Sequence, residues 1–503
     1  MTTSSESLDL QDRARRALED DFLRTAVRFT TDRLKTTRKT ATEQLGRWED
    51  WRERGRQIRA HTVSHLDHYL GLFATNARKA GARVHFAADA ADAERVVLDI
   101  AKQQAAILVA KSKSMVTEEI HLNRHLEEHG IEVVETDLGE YIIQLAGEAP
   151  SHIIIPAIHK TREQIRELFA ADGAEDLTTD TKALTAYARK RLRETFLQAD
   201  IGITGCNFAI AESGSVVLFT NEGNGRMVST LPKTHIVLMG MERIIPTLAD
   251  LDVMANLLPR SATGQKLTTY MSIVTGPRKL EEQDGPDDLH IVILDNGRSR
   301  QLGDPEFQEI LHCIRCGACL NVCPVYRHIG GHSYGSVYPG PIGAVLTPLL
   351  QEGPEFEELP YASSLCGACH EACPVKIPLH DMLAALRRRQ VERGRGTRGE
   401  RMAFRGFQMA FSNARRYRGT LRMARMAQAV FGIREGRIDA QFGALRGWTA
   451  TRAAPALADK SFRERYASLE QDVAIGSSAS GTVQTSGADG QLTVGKTEVN
   501  RDE

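Results

Sequence analysis

The spacing of apolar residues divides the chain into a helical beginning and an alternating middle. From about residue 8 to 80, apolar side chains recur at helical spacing among Arg, Glu, Leu and Ala, and no proline interrupts them. Such spacing is typical of amphipathic helices. The pattern therefore predicts two or more helices in an N-terminal arm, residues 1–80, which packs on the next domain or on a partner. The residues that show the spacing best are Leu66, Tyr69, Leu70 and Phe73.

Short apolar runs alternate with helical stretches over the following two hundred or so residues. Buried strands of a parallel sheet are nearly continuous apolar runs, and crossover helices separate them. We therefore predict an α/β domain over residues 81–300 with an open, mostly parallel sheet. The helical stretches fall near 91–102, 116–129, 138–147 and 161–170. The strand candidates are A-R-V-H-F-A-A, A-A-I-L-V-A-K, I-E-V-V-E-T-D and H-I-I-I-P-A-I.

The second half of this predicted domain is dense in Gly, Ser, Thr and Asn. Glycines interrupt its apolar runs, which suits either ordinary hairpin turns or a ligand crevice where the backbone approaches a bound molecule. Both interpretations fit the pattern. Cys206 is the single cysteine of this stretch, and we interpret it as a small core residue rather than a ligand of an iron–sulfur cluster. The glycines are Gly202, Gly205, Gly214, Gly223 and Gly225.

The last part of the chain is predicted to be helical and then disordered. Residues 391–473 are rich in arginine, and their charge suits a solvated helix face. An apolar series within them also suits docking to a partner or peripheral contact with an anionic membrane. Residues 474–503 are rich in Gly, Ser and Thr with little to bury, which predicts a disordered tail. The apolar series consists of Met402, Phe404, Phe407, Met409 and Phe411.

Composition and charge exclude several classes of protein. A formal net charge of −1 argues against nucleic-acid binding, and 42% hydrophobic residues suffice for real cores. The 503 residues allow about three domains. The chain contains no apolar run of about 18 residues, so no transmembrane segment is expected. Acidic residues follow Arg15 and Arg16, so no export signal is expected. We therefore expect a cytoplasmic protein whose thiols stay reduced.

Seven of the eight cysteines form two runs near the middle of the chain. The first run, C-I-R-C-G-A-C-L-N-V-C-P from Cys313, has the bacterial-ferredoxin spacing, whose fourth cysteine ligates the other cluster of a pair. The second run, C-G-A-C-H-E-A-C-P from Cys366, supplies the required partner. We predict two iron–sulfur clusters in a mainly α-helical ferredoxin-type domain over 301–390. The predicted ligands are Cys313, Cys316, Cys319 and Cys373 for cluster 1, and Cys323, Cys366 and Cys369 for cluster 2.

The second cluster is one cysteine short. The ferredoxin spacing places the missing ligand at Ser363. Cluster 1 is expected to be 4Fe–4S. Cluster 2 is either 3Fe–4S, or 4Fe–4S with an open corner that takes Ser363, water, a substrate or a partner's ligand. Zinc also suits C-x2-C pairs, but seven cysteines do not divide into fours and both runs end in Cys-Pro. Disulfides do not fit a protein without an export signal.

Several long motifs resemble a known family. The motifs K-S-K-S-M-V-T-E-E-I (111–120), E-T-D-L-G-E-Y-I-I-Q-L (135–145), P-S-H-I-I-I-P-A-I-H (150–159) and G-I-T-G-C-N-F-A-I-A-E-S-G-S-V-V-L (202–218) resemble a LUD domain. This domain is related to the NagB/RpiA/CoA-transferase-like fold. Together with the cysteine runs and Y-P-G-P-I-G-A-V-L-T-P-L-L (338–350), nearly the whole chain resembles the lactate utilisation protein B family. A three-cysteine second run is usual in that family.

The resemblance implies an iron–sulfur electron-transfer subunit of a three-protein system that oxidises L-lactate to pyruvate. It implies two companion subunits: a cysteine-rich, heterodisulfide-reductase-like subunit and a smaller LUD-only subunit. No flavin or nicotinamide fingerprint is found, because G-R-G-T-R-G (394–399) follows an arginine-rich helical stretch instead of a buried strand. The alternative is an acyl- or CoA-transferase-like enzyme that uses Glu212 as a nucleophile in the LUD crevice. No catalytic residue is assigned for lactate oxidation, and either a companion subunit or the LUD crevice binds the substrate.

Overall fold

Four helices precede the first strand in the computed structural model. The structure describes residues 9–351, 353–395, 398–430, 437–438, 452–458, 460–467 and 469. Asp9 and Asp20 cap the first two helices, because each side chain accepts a hydrogen bond from a backbone N–H in the first turn. The helices are α1 (Leu10–Glu19), α2 (Asp21–Leu45), α3 (Trp48–Ser64) and α4 (Leu66–Lys79).

An α/β domain follows these helices, and its strands and helices alternate as the sequence predicts. Its elements are β1 (Arg83–Ala87), α5 (Ala90–Gln103), β2 (Leu108–Lys111), α6 (Met115–Glu119), α7 (Leu122–Glu128), β3 (Glu132–Glu135), α8 (Leu138–Ala146), α9 (Arg162–Ala171), α10 (Thr181–Gln198), β4 (Ile201–Thr204), β5 (Phe208–Ile210), β6 (Ser215–Thr220), α11 (Asn224–Thr230), β7 (Thr234–Gly240), β8 (Ile244–Ile245), α12 (Leu248–Ala262), β9 (Tyr270–Val274) and β10 (Asp288–Leu294).

Six of the strands form one parallel sheet in the order β1-β10-β7-β4-β2-β3. All five neighbouring pairs are parallel; Val109 of β2, for example, pairs with Ile201 of β4 and with Val133 of β3. The chain runs outward from β2 to β3, returns to β4, and then runs the opposite way through β7 and β10. The strand order therefore reverses between β2 and β4. Ligands bind in open parallel sheets outside the carboxyl ends of the strands at such a point.

A smaller four-stranded sheet, in the order β8-β5-β6-β9, lies within the same domain. The β5 and β6 strands form a hairpin in which Phe208 pairs with Val217. Gly214, with φ of 71°, lies in the turn between them, where a Cβ would lie 2.1 Å from the backbone nitrogen of Ala77. At this glycine the hairpin-turn interpretation is therefore correct.

The predicted strand H-I-I-I-P-A-I (152–158) is wrong. These residues form turns, because the N–H groups of Ile154 and Ile155 donate to His152 Nδ1 at 3.0 and 3.2 Å. The apolar run is partly buried for another reason: Ile154 contacts the first cysteine run, where its Cγ1 lies 3.1 Å from a Cβ built on Gly317. A continuous apolar run does not show whether a sheet or another segment covers it.

The cysteine-containing segment is built from short helices and turns, and the N-terminal helices pack against it. Helix α2 packs on α14 (Ala318–Val322) and α15 (Tyr326–Ile329), and α14 packs on α17 (Ala368–Ala372). Five of the cysteines lie in a buried cluster of side chains that also includes residues of the N-terminal helices. The helices are α13 (Arg298–Leu302), α14 (Ala318–Val322), α15 (Tyr326–Ile329), α16 (Gly340–Leu350), α17 (Ala368–Ala372) and α18 (Leu379–Glu392).

The chain divides into two compact units, 1–395 and 396–503. In the described part of the second unit, α19 (Arg398–Phe411) and α20 (Ala414–Val430) pack on each other, and β11 (Arg437–Ile438) pairs with β12 (Ala454–Pro455). The predicted disordered tail, 474–503, lies outside the described residues. None of the helices in the described part of the chain combines the length and apolar content that a bilayer span needs.

Candidate functional site

The two cysteine runs have the same backbone conformation. In the first, Arg315 and Gly317 have φ of 58° and 72°, and in the second, Leu365 and Gly367 have φ of 55° and 80°. Each glycine precedes a short helix, α14 or α17, that ends one residue before the last cysteine of its run. A positive φ is uncommon for a residue with a side chain. Its repetition at Arg315 and Leu365 shows that the backbones of both runs follow the same path.

Four cysteines from the two runs line one small cavity. They are three cysteines of the first run and the last cysteine of the second, which is the combination predicted for cluster 1. Burial raises the pKa of Cys319 well above its usual range, and the neighbouring Cys316 raises it further. Thiolates gathered in a buried place need a cation to balance their charge. The four cysteines are Cys313, Cys316, Cys319 and Cys373.

The three remaining cysteines of the runs lie together beside this cavity. Burial raises the pKa of Cys369 to about 11, and the nearby Cys323 and Cys366 also raise it. Cys319 is close enough to Cys369 for the charge of Cys369 to raise its pKa. The two groups of cysteines therefore adjoin each other. Cys366 is exposed, whereas Cys323 and Cys369 are buried, so the second group reaches the protein surface.

Backbone N–H groups point at several of the cysteine sulfurs. The N–H groups of Arg315, Tyr326 and Ile377 donate to the sulfurs of Cys313, Cys323 and Cys373, respectively, at 3.4, 3.5 and 3.4 Å. Hydrogen bonds to the ligating sulfurs are one of the means by which proteins tune iron–sulfur clusters. The donor set is all thiol with amide donors behind it, and the residues therefore fit iron–sulfur clusters.

Ser363 lies where the second run lacks a cysteine. Its Oγ accepts a hydrogen bond from the Leu365 N–H at 3.1 Å, which corresponds to the bond from Arg315 to Cys313 in the first run. Arg387 of α18 donates to the Ser363 carbonyl at 3.0 Å and holds this loop in place. The serine therefore has the backbone setting of a ligand, with oxygen in the place of sulfur.

Arginines of the N-terminal helices hold the second cysteine run from behind. Arg52 Nε donates to the Cys373 carbonyl and its Nη2 to the His370 carbonyl, both at 2.9 Å. Arg38 donates to the Ala372 carbonyl at 2.9 Å. Carbonyls at the end of a helix have no partner within the helix, so external donors stabilise them. The N-terminal helices thus form part of the wall of the cysteine site.

A crevice opens at the point where the strand order of the parallel sheet reverses. It has a volume of about 350 Å³ and is lined by residues that directly follow β2 and β4 and by residues in the loops after β3 and β7. Gly205 follows β4 there, and a Cβ on it would lie 2.7 Å from Ser114 Oγ. Gly205 therefore lies in the crevice wall, at a close contact between two segments of the protein, and the ligand interpretation stays a prediction. Arg315, between two cysteines of the first run, lines the same crevice, so the crevice and the cysteine site adjoin.

Acidic and basic groups face each other at the mouth of this crevice. Desolvation raises the pKa of Glu222 to about 7, and the nearby Asp137 raises it as well. Glu222 Oε2 accepts a hydrogen bond from the Leu138 N–H at 3.1 Å. Lys113 forms an ion pair with the buried Glu140 at 3.4 Å. Glu222 can therefore exchange a proton near neutral pH.

Buried ion pairs connect the crevice to the cysteine site. Arg298 is fully buried and donates to both oxygens of Glu119, at 2.9 and 2.8 Å, and to Glu242 at 2.7 Å. The Tyr338 hydroxyl donates to Glu119 at 2.7 Å. Burial raises the pKa of Glu242, but Arg298, Arg243 and Arg315 together outweigh this effect and lower the pKa to about 2. Both carboxylates are therefore ionised and fixed in position.

Glu212 does not lie in this crevice, which corrects the alternative prediction. Its exposed carboxylate accepts a hydrogen bond from the N–H of Leu248, at the start of α12, at 2.5 Å. A carboxylate in this position stabilises a helix N-terminus. The acidic residue in the crevice is instead Glu222. Cys206, predicted to be a small core residue, packs against a buried apolar cluster and also lines the crevice. Burial raises the pKa of its thiol to about 12.

The role of the buried charges could not be predicted from the sequence. Glu119 and Tyr338 lie in motifs that resemble the family, and Arg315 lies between two predicted ligands, but no role followed from their positions. Arg243 and Arg298 follow strands β7 and β10, respectively, at the carboxyl edge of the sheet. Polar residues in the loops that follow the strands of a parallel sheet are the signal from which these crevice residues could have been predicted.

Comparison with known families divides the chain into three segments. Residues 70–294 match the LUD domain, 309–377 the 4Fe-4S dicluster domain, and 386–471 the C-terminal domain of lactate utilisation protein B. The second match supports iron–sulfur clusters at the cysteine runs. A solved structure of a DUF162 family protein from Deinococcus radiodurans is also similar, with a TM-score of 0.27 and 14% identity; the match covers 46% of this chain and 98% of that one.

Two relatives are similar over almost their whole length. Lactate utilization protein B of Shouchella clausii is 51% identical over 461 residues, 92% of this chain and 97% of the relative. Lactate utilization protein B 2 of Bacillus mycoides is 52% identical over 458 residues, 90% of this chain and 96% of the relative. The expected resemblance is thus confirmed, and the chain belongs to the lactate utilisation protein B family.

Proposed function

We propose that this chain is the iron–sulfur electron-transfer subunit of a multi-protein system that oxidises L-lactate to pyruvate. The observation that carries the proposal is the meeting of two adjoining groups of cysteines beside a polar crevice. Oxidation of lactate releases two electrons, whereas iron–sulfur clusters bound at these residues would carry electrons singly. Two adjoining sites in one chain could accept the two electrons one at a time. The printed names of the relatives support a role in lactate utilisation.

In the proposed ligand sets, the last cysteine of each run binds the cluster that is held mainly by the other run. Cys313, Cys316, Cys319 and Cys373 would hold a 4Fe–4S cluster with full thiolate ligation. Cys323, Cys366 and Cys369 would hold the second, which is 3Fe–4S or a 4Fe–4S cluster with an open corner near Ser363. The shared cavity supports the first set, and the electrostatic proximity of the three remaining thiols supports the second.

The exposed second group marks the proposed exit for electrons. Cys366 and the adjacent Leu365 are exposed, and Leu365 is 40% accessible. The first group is covered by the N-terminal helices on one side, through Arg38 and Arg52. Electrons would therefore pass from the first group to the second, through the neighbouring Cys319 and Cys369, and on to a companion. The proposed companions are the cysteine-rich, heterodisulfide-reductase-like subunit and the LUD-only subunit.

The domain division proposed from the sequence remains 1–80, 81–300, 301–390, 391–473 and 474–503. We also propose that the α/β domain has the NagB/RpiA/CoA-transferase-like fold, which the parallel sheet with a crevice at its carboxyl edge supports. A peripheral contact with a membrane or a companion is proposed for α19. Its apolar residues are exposed, and Phe407 stacks on Phe411 at 4.2 Å.

Anaerobic purification tests the proposal. The protein is expected to contain about seven or eight iron atoms with matching sulfide, and to be reduced by L-lactate when both companions are present. A chain with a full complement of iron that lactate and companions never reduce would refute electron transfer from lactate. A chain that binds zinc instead of iron under these conditions would refute the cluster assignment itself.

A further inference from the structure

Two buried arginines in the crevice have hydrogen-bond donors that are unused. Arg243 and Arg315 are 6% and 8% exposed, and both line the crevice. Among the described residues, no hydrogen-bond partner is found for Nε of Arg243, or for Nε and Nη1 of Arg315. Buried polar groups are almost always hydrogen-bonded, and a charged donor left without an acceptor is unfavourable. Donors in this state at the wall of a cavity indicate that the acceptor is a ligand.

The charges around the crevice favour an anion. Glu242 is shared by three guanidinium groups, at 2.7 Å from Arg298, 3.4 Å from Arg315 and 3.9 Å from Arg243. Arg298 also donates hydrogen bonds to both carboxylate oxygens of Glu119. The Tyr338 hydroxyl donates to Oε2 of the same carboxylate. Three buried arginines thus meet two buried carboxylates. Within this buried network one positive charge remains for the crevice or for the adjoining cysteine site, whereas at the mouth of the crevice Lys113 lies among the acidic Asp137 and Glu222.

The remaining walls limit the size and character of the anion. Hydroxyl and amide groups of Ser112, Ser114 and Asn207 lie on the strand-end side, and Ile153, Leu218 and Phe219 contribute apolar surface. A volume of about 350 Å³ is near the lower limit for small-molecule sites. Cationic, hydroxyl and apolar groups together match a carboxylate that carries a neighbouring oxygen and a short hydrocarbon group.

We propose that this crevice binds a short 2-hydroxy or 2-oxo carboxylate, with its carboxylate on Arg243 and Arg315. Planar guanidinium groups are the usual partners of carboxylates, since two N–H groups can bond to two oxygens. The serine and asparagine groups would receive the neighbouring oxygen. The choice of L-lactate and pyruvate as ligands rests on the proposed function, whereas the anion site itself rests on the arginines. The ligand would then bind in this subunit, directly beside the first group of cysteines.

Calorimetric titration of the anaerobically purified holoprotein tests the site. L-Lactate and pyruvate are expected to bind saturably, and inorganic phosphate and acetate at least about tenfold more weakly. Arg243→Gln should weaken lactate binding by about tenfold or more, because it removes a buried charged partner, while the iron content stays at the wild-type level. Arg243→Lys should recover part of the affinity. The control is Arg83→Gln, at the opposite, amino edge of the sheet, which should bind lactate as the wild type does.

Several outcomes separate the inference from its rivals. Undetectable binding of lactate and pyruvate to the iron-replete wild type, or unchanged binding to Arg243→Gln, overturns it. A lower cluster potential in Arg243→Gln without any loss of binding means that the arginine balances only cluster charge, which also overturns it. If Arg243→Gln loses iron, Ser112→Ala decides, and severalfold weaker binding supports the site. The protein could bind lactate and yet never be reduced by lactate in the presence of the companions. That result supports this site and contradicts only the proposed function.

Discussion

Ser363 occupies in the second cysteine run the position that Cys313 occupies in the first. In each run, the residue two positions later has a positive φ and donates its N–H back to the side chain, at 3.1 Å for serine and 3.4 Å for cysteine. The backbone is therefore prepared for a fourth ligand even though the thiol is replaced by a hydroxyl. A neutral serine hydroxyl is a weak ligand, and the charge of a bound metal ion would favour its ionised form.

Ser363→Cys is expected to stabilise the second cluster against oxidation. The added thiolate would complete the set of ligands, so that mild oxidation no longer converts 4Fe–4S to 3Fe–4S. Its negative charge should also lower the reduction potential. The EPR signal of the oxidised 3Fe–4S form measures the conversion. Ser364→Cys, one residue further along the exposed loop, is the matched control and should behave as the wild type does. A wild-type cluster as resistant as the Ser363→Cys variant would contradict an open corner.

Cys316→Ser should remove about half of the iron. Its sulfur lies in the cavity shared by four cysteines, and loss of a buried thiolate leaves the first cluster with three. Iron and sulfide analysis measures the loss, and EPR should still show the second cluster. Cys206→Ser removes a cysteine that belongs to neither group and should retain all the iron. Equal iron in the Cys316→Ser variant and the wild type would show that the ligand assignment is wrong.

Arg298→Leu is expected to destabilise the protein strongly. It leaves the buried carboxylates of Glu119 and Glu242 without their main partner, which costs about 3–5 kcal/mol for a buried pair. Denaturant unfolding under anaerobic conditions measures the change. The control is Arg278→Leu, whose ion pair with Asp287 is partly exposed, and about 1 kcal/mol or less is expected there. Similar losses in both variants would mean that the buried network is not structural.

The stability of the protein should fall as the pH rises through the range in which Glu222 ionises. Its pKa is raised from 4.5 to about 7 in the folded protein, so the folded state binds more protons than the unfolded state between these values. The free energy of unfolding therefore decreases from about pH 4.5 to 7, and because the Glu222 side chain is exposed, screening by solvent keeps the size of this decrease small. Glu222→Gln should flatten the profile in this window, while Glu222→Asp should keep a slope of the same sign. An unchanged slope in Glu222→Gln would contradict the shift.

The sequence predicts the α/β alternation well because buried strands and amphipathic helices have distinct periods. The strands around Val109 and Val133 and the helices between them lie where the apolar pattern places them. The pattern fails at Ile153 to Ile155, since another segment of the chain, rather than a sheet, covers that run. Periodicity records burial, and it does not record the identity of the covering surface.

Positions of charged side chains could not be predicted in the same way. Arg298 and Glu119 are separated by 179 residues along the chain, and their contact depends on how β10 and the segment after β2 are arranged in the sheet. Glu212 satisfied a short motif but lies at the start of α12, outside the crevice. Cysteine spacing is informative because the cluster itself fixes the distances between its ligands. A crevice formed from several strand ends leaves no such spacing in the sequence.

The bonds from Arg38 and Arg52 to the second cysteine run also determine an order of assembly. The bonded residues are 318 to 334 positions apart in the chain, so ribosomal synthesis completes the arginines long before their carbonyl partners. Helices α2 and α3 therefore cannot form these contacts until Cys373 has left the ribosome. Contacts of such long range form late in folding. Until these bonds form, the first helices do not cover the cysteines from this side, so the proposed clusters would be inserted most readily before that step.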